Sequence, residues 1–215
     1  MGSVGFFVTL GFNESRALRA VSEARACGGE VVLIVRAGSI EPALRAVRTV
    51  KDFAKPLNVG VRVLEVDCGD WCEVFRISRV MSEYERVKVV IGGGLRIPQA
   101  YTLLATLNML DRVEEVTVHD HDTGEEVTIP KWVLSLIASP ERKGKLRVLA
   151  ELSTDKPKSK EEVADAVGLS SQTTSKYLSF LTKAGLVKRV MPNKYRLTKL
   201  GEKVKKASTG GEGRQ

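Results

Sequence analysis

The stretch Gly92-Gly93-Gly94-Leu95-Arg96-Ile97-Pro98 has the residue types and spacing best suited to chemistry. Three successive glycines leave backbone N–H groups unshielded and let a ligand come close. Arg96 adds a planar fork of donors that matches a phosphate. Pro98 opens a helical pattern over about residues 98–110, whose positive end points back at the glycines. The chemistry is anion binding, and a nucleotide is the anion it suits. A second loop, Leu10-Gly11-Phe12-Asn13, follows a dense apolar run at Gly5 to Leu10, and Asn13 offers an amide to a base or a ribose. Glycine-rich turns also serve as plain strand-to-helix connections, so these residues alone leave that alternative open.

Other chemistries are harder to place. The first strand-to-helix turn lacks the G-x-G-x-x-G spacing of dinucleotide enzymes, and no P-loop lysine follows the glycines. No Ser/His/Asp set or carboxylate pair falls in these loops, so catalysis is not expected. His119 and His121 flank Asp120 and read as polar residues near a hairpin turn. Cys27, Cys68 and Cys72 make neither a C-x-x-C pair nor a Cys/His cluster, which suggests free thiols, a cytoplasmic protein and no metal. The one N-terminal apolar run is too short for a signal sequence or a membrane span.

A second constellation lies near the C-terminus. The segment from Gly168 to Val187 reads as the second helix of a helix-turn-helix running into a wing. Ser170 can cap it, Tyr177, Leu178 and Leu181 form its buried side, and Ala184-Gly185 ends it. The opposite side holds Ser171, Gln172, Thr173, Ser175, Lys176 and Ser179. These are short polar groups suited to base edges and phosphates in a major groove. Beyond it, Val187 to Val190 and Lys194 to Leu197 alternate around Met191-Pro192-Asn193. That pattern predicts a two-stranded wing presenting Lys188, Arg189, Lys194 and Arg196 to phosphates.

Charge separates the two constellations. Residues 1–130 hold 15 Lys+Arg and 18 Asp+Glu, a net of −3, whereas residues 131–215 hold 19 and 8, a net of +11. Excess basic charge confined to one segment is the footprint of a phosphate-backbone binder. Four parts are expected: a ligand-sensing domain over 1–130, a linker over 131–139, a DNA-binding domain over 140–207 and a disordered tail over 208–215.

In the first part strands and helices alternate. Strands are expected at 5–10, 31–35, 59–66 and 87–91, and helices at 14–27, 40–56 and 98–110. A further helix carries Val74, Ile77, Met81 and Tyr84, opened by an Asp70/Glu73 capping box. A hairpin of 113–119 with 125–129 follows. This is an α/β doubly wound, Rossmann-like domain, with strand order 3-2-1-4 and the hairpin at the far edge. In that order the first and fourth strands meet where the winding reverses, which brings the two ligand loops together. The 98–110 helix is apolar nearly all round. Either a second subunit or the rest of this chain covers its outer side.

The second part begins with a connector at Pro130 to Ile137, where Trp132 packs at the junction. Ser139-Pro140-Glu141 should start a helix over 141–152 that buries Leu146, Leu149 and Leu152. Lys156-Pro157-Lys158-Ser159-Lys160 is a basic loop, solvated or touching phosphates. A Ser159/Glu162 capping box opens a helix over 160–167 with Val163, Ala166 and Val167 inward. A last helix carries Leu200 and Val204.

With both halves read, the chain resembles the CRISPR-associated Rossmann-fold (CARF) transcriptional regulators of archaeal type. Leu10-Gly11-Phe12-Asn13 and Gly93-Gly94-Leu95-Arg96 stand where that family has its two pocket motifs, and the C-terminal part is similar to the winged helices of the MarR and ArsR families. Thr174 departs from the winged-helix pattern, which has an aliphatic residue there. The resemblance implies a homodimer with a cyclic oligoadenylate, most often cyclic tetra-adenylate, across its two-fold axis. It implies double-stranded promoter DNA as partner and control of CRISPR genes in antiviral defence. Two alternatives remain at this point: a ring nuclease that degrades the cyclic ligand, and a repressor sensing another anionic metabolite.

Overall fold

The computed structural model describes residues 3–92, 94, 96–120 and 123–208. It divides into two compact units, Met1–Ser135 and Leu136–Gln215.

In the first unit the strands are β1 (Val4–Thr9), β2 (Glu30–Arg36), β3 (Val61–Val66), β4 (Arg86–Ile91), β5 (Val113–His119) and β6 (Glu126–Pro130). They form one sheet in the order β3-β2-β1-β4-β5-β6. The first five are parallel and β6 pairs antiparallel to β5, so the expected winding and edge hairpin are both present. All six residues of β1 are buried because helices cover both faces. Successive side chains point to opposite faces. Phe6 and Val8 therefore join a core with Ala17, Val21 and Val50, under α1 (Ser15–Cys27) and α2 (Glu41–Ala54). Phe7 joins Ile77, Met81 and Ala105, under α3 (Glu73–Met81) and α4 (Arg96–Asn108). Leu134, in α5 (Lys131–Ile137), belongs to that second core, and Lys131 Nζ donates to the Asp111 carbonyl at 2.8 Å.

Several local expectations need correction. No Asp70/Glu73 capping box forms. Asp70 Oδ1 instead accepts from the Cys72 N–H at 2.9 Å, and the Glu73 carboxylate takes Arg76 at 2.6 Å, so the cap moves to Cys72 and the helix starts at Glu73. Helix α4 begins at Arg96, not Pro98, and Pro98 lies in the first turn, where its missing N–H loses no helix bond. Its most deeply buried residues include two threonines, beside the half-buried Tyr101 and Leu107. Thr102, Ala105 and Thr106 are fully buried, and the two hydroxyls donate back to the Pro98 and Thr102 carbonyls. Leu103 and Leu104 face outward.

The second unit holds α6 (Arg142–Glu151), α7 (Lys160–Val167), α8 (Ser171–Lys183), α9 (Lys199–Ser208) and the strands β7 (Lys158–Ser159), β8 (Val187–Met191) and β9 (Lys194–Leu197). Leu149, Leu152, Val163, Leu178, Leu181 and Leu186 fill its core. The Ser159/Glu162 capping box forms as expected, with both reciprocal hydrogen bonds made. The helix start at Ser139-Pro140-Glu141 does not. Ser139 Oγ takes the Glu141 N–H at 3.2 Å, which makes a turn there and leaves Glu141 as the residue before the helix. Leu146 is only half-buried, and in α7 Ala164 is buried while Ala166 is exposed. Part of the basic loop is strand β7, which pairs with β9 and makes the sheet three-stranded. Lys158 in that strand reaches Glu151 at 3.2 Å. Helix α9 extends to Ser208, and the rest of the expected tail, 209–215, lies outside the described residues.

Candidate functional site

At the carboxyl ends of β1, β2 and β4 the first unit encloses a cavity of about 370 Å³. Leu10, Gly11, Phe12 and Asn13 form one wall and Gly94 another. The two loops are in contact. Gly94 has φ +91°, and a Cβ built on it would stand 2.8 Å from the Leu10 carbonyl oxygen. A side chain there would push the loops apart, so the glycine is what lets them share a hollow. Gly92 has a different role: a Cβ on it would fall 2.9 Å from His119 Cβ, and its N–H reaches Thr9 Oγ1 at 3.3 Å. It holds β4 close to its neighbours and is not part of the lining.

Arg96 and Ile97 occupy the first turn of α4, exposed, and do not line the cavity. Gly93 and Leu95 lie outside the described residues. Asn13 uses Oδ1 to accept the Ser15 N–H at 2.9 Å, which makes a turn before α1, whose preceding residue is Glu14 with no side-chain cap, and Asn13 also lines the hollow. Sequence reasoning missed a third wall, from Arg36, Gly38, Ser39, Ile40 and Ala43. The available signal was an arginine closing the apolar run Val31 to Val35, on the strand next to β1.

A second hollow of about 210 Å³ lies on the β4–β6 part of the sheet, beside α1. It is lined by charge: Arg19 meets Glu126 at 2.9 Å and Glu23 at 3.1 Å, and Lys88 meets Glu115 at 3.0 Å. His119 closes β5 beside the hairpin turn, as expected, with its side chain only 5% exposed. Its Nδ1 stands 3.5 Å from Glu126 Oε2 and makes no hydrogen bond among the described residues. Burial, then Arg16, holds this imidazole below the usual histidine range, against the pull of Glu126. His121 lies outside the described residues. No cluster able to hold a metal ion occurs among the described residues.

In the second unit α8 has the expected cap, end and faces. Ser170 caps it, taking the Thr173 N–H at 3.1 Å, and Gly185 follows its end at φ +72°. Tyr177, Leu178 and Leu181 are buried, whereas Ser171, Gln172, Ser175, Lys176 and Ser179 are exposed and Thr173 is half-exposed. Thr174, the departure from the winged-helix pattern, is fully buried, and its hydroxyl has no hydrogen-bond partner among the described residues. On the wing, Lys188, Arg189 and Lys194 are exposed and Arg196 is half-buried. Lys188 and Arg196 stand directly opposite each other across the two strands. Like charges so placed repel and are destabilising unless an anion joins them. The strands, the capped helix and the cationic pair are arranged as a helix-turn-helix with a wing.

Two family models match the chain. Residues 4–130 match the Csa3 CRISPR-associated Rossmann-like domain. The chain belongs to that family. Residues 145–188 match a winged helix-turn-helix DNA-binding family, so this Csa3-type chain has the architecture of a CRISPR-associated DNA-binding regulator. No curated protein matches it. Among solved structures, the Csa3-type chain is similar to the crystal structure of protein VC1899 from Vibrio cholerae, at 11% identity and a TM-score of 0.37. The likeness covers 94% of this chain and 64% of that one, so the chain spans less than two thirds of that protein's length. No helix among the described residues is long and apolar enough to cross a membrane.

Proposed function

We propose that this Csa3-type protein is a transcriptional regulator of CRISPR genes that binds promoter DNA through its winged helix and is controlled by a cyclic oligoadenylate, cyclic tetra-adenylate by choice. The observation that carries this reading is the contact of Gly94 with the Leu10 carbonyl, which joins the loops after β1 and β4 into one hollow at the winding reversal. A ligand in that hollow meets backbone N–H groups and the starts of two helices, α1 and α2. Control requires the ligand to bind one arrangement of the two winged helices better than the other. A homodimer supplies that arrangement, and the outward Leu103 and Leu104 of α4, 36% and 50% exposed, are the apolar surface we assign to its interface. The site is read as a sensor, not a catalyst, and the protein as cytoplasmic.

The test is a calorimetric titration with cyclic tetra-adenylate beside a mobility-shift series on the protein's own promoter. Saturable binding that changes DNA affinity is expected. Failure with every cyclic oligoadenylate, while DNA is still bound, removes the ligand from this reading and leaves the DNA-binding regulator.

A further inference from the structure

We infer that the loop from Arg36 to Ile40 completes a nucleoside-phosphate subsite, with the Arg36 guanidinium taking a phosphate and Phe12 and Ile40 giving the apolar surface on which a base stacks. This rests on reading the hollow as a nucleotide site. It goes further in assigning the cation to Arg36, in place of the Arg96 that the glycine-arginine motif suggests.

Arg36 closes β2, one strand over from β1. In doubly wound folds the end of the second strand lies near the sugar of a bound nucleotide. An acid there reads a ribose hydroxyl, and an arginine nearby accommodates an additional phosphate. The Arg36 carbonyl is held by Ser39 Oγ, which donates to it at 2.5 Å and fixes the turn. Its guanidinium, by contrast, makes no hydrogen bond or ion pair among the described residues. Among the described residues lining the hollow, it is also the one charged side chain, so no acid neutralises it. Glu41, just beyond the loop, is paired with Arg48 instead.

The apolar walls fit the same ligand. Phe12 is 64% exposed and Ile40 is 62% exposed, although both follow deeply buried strands, β1 and β2. An exposed aromatic ring and an exposed aliphatic chain in one hollow with a free cation match the two halves of a nucleotide. The flat apolar base stacks on the ring, and its phosphate meets the fork. Arg96 stays outside the lining, at the start of α4.

The experiment titrates the full chain with four probes: cyclic tetra-adenylate, ATP, adenosine and inorganic tripolyphosphate. Arg36→Ala should weaken the three phosphate-bearing probes about tenfold and lower the salt slope of their affinity by about one, with adenosine unaffected. Arg36→Lys should recover part of the loss. Phe12→Ala should weaken the three adenine-bearing probes by about tenfold and spare tripolyphosphate, and Phe12→Tyr should restore them. Unchanged melting temperature and ligand-free DNA binding establish that each variant folds. If wild type and Arg36→Ala bind cyclic tetra-adenylate alike, this assignment is wrong while the sensor reading stands. Should ATP bind through Arg36 and cyclic tetra-adenylate not bind at all, the assignment holds and the cyclic ligand is lost. Binding of none of the four probes overturns it.

Discussion

Glu141 and Lys176 are joined across the second unit. Lys176 Nζ, on the outward face of α8, donates to Glu141 Oε1 at 2.7 Å. The same carboxylate meets Lys145 at 3.7 Å. The hydrogen bond from Lys176 lowers the Glu141 pKa and raises that of Lys176 in return. A lysine expected to contact DNA thus already has an anionic partner, and a phosphate must compete with it. Lys176→Ala should weaken DNA binding by roughly tenfold or less and lower the salt slope by about one. Glu141→Gln should strengthen non-specific binding. Fluorescence anisotropy across a salt series checks both.

Gly94→Ala should damage the ligand site and the first unit together. The position needs φ +91°, and the added carbon would face the Leu10 carbonyl at 2.8 Å. A strained non-glycine residue of this kind costs about 1–3 kcal/mol. Urea melts should show that loss, and calorimetry should show ligand binding reduced. DNA binding without ligand, measured by anisotropy, should persist.

The Lys188–Arg196 pair gives two effects of opposite sign. Lys188→Glu turns a repulsive cross-strand pair into an attractive one and should stabilise the wing by about 0.2–1 kcal/mol. The same change places an acid among phosphates and should cut DNA affinity. Thermal melts should rise while anisotropy shows weaker binding. If both quantities fall, the pair does not repel in the free protein.

His119 predicts a pH response. Its folded pKa lies below the ordinary 6.5, so the unfolded chain takes up the proton first as pH falls. The stability it contributes is intact above about pH 6.5 and is lost as pH drops through the lower, folded value. The charged groups facing it are Arg16 and Arg19 on α1 and Glu126 on β6. Melts between about pH 7.5 and 5.5 should show a decline that His119→Gln reduces.

Much of this architecture was legible in the chain. Short dense apolar runs such as Val4 to Leu10 and Val31 to Val35, alternating with amphipathic helical patterns, read as strands covered twice, and handedness then leaves one simple winding. The reader helix was equally plain, because Ser170 and Gly185 mark its ends. Arg36 was not legible as a lining residue, since its role depends on β2 lying beside β1 and not on its own neighbours. Strand β7 escaped because two residues carry no periodicity. Lys145 escaped for a related reason: a lysine predicts exposure, yet its stem is buried and its ammonium lies 4.4 Å from the Phe180 ring centre. The Asp70/Glu73 pattern misled because Arg76, one turn further on, offers Glu73 a charged partner.

Helix α4 turns its threonines to the sheet and Leu103 and Leu104 to water, with a consequence for anyone handling this protein. Its outer surface can be rewritten with polar groups and leave the interior intact, because neither Leu103 nor Leu104 belongs to the cores on the two faces of the sheet. Stickiness and foldedness are therefore carried by different residues of one helix and can be separated at the bench.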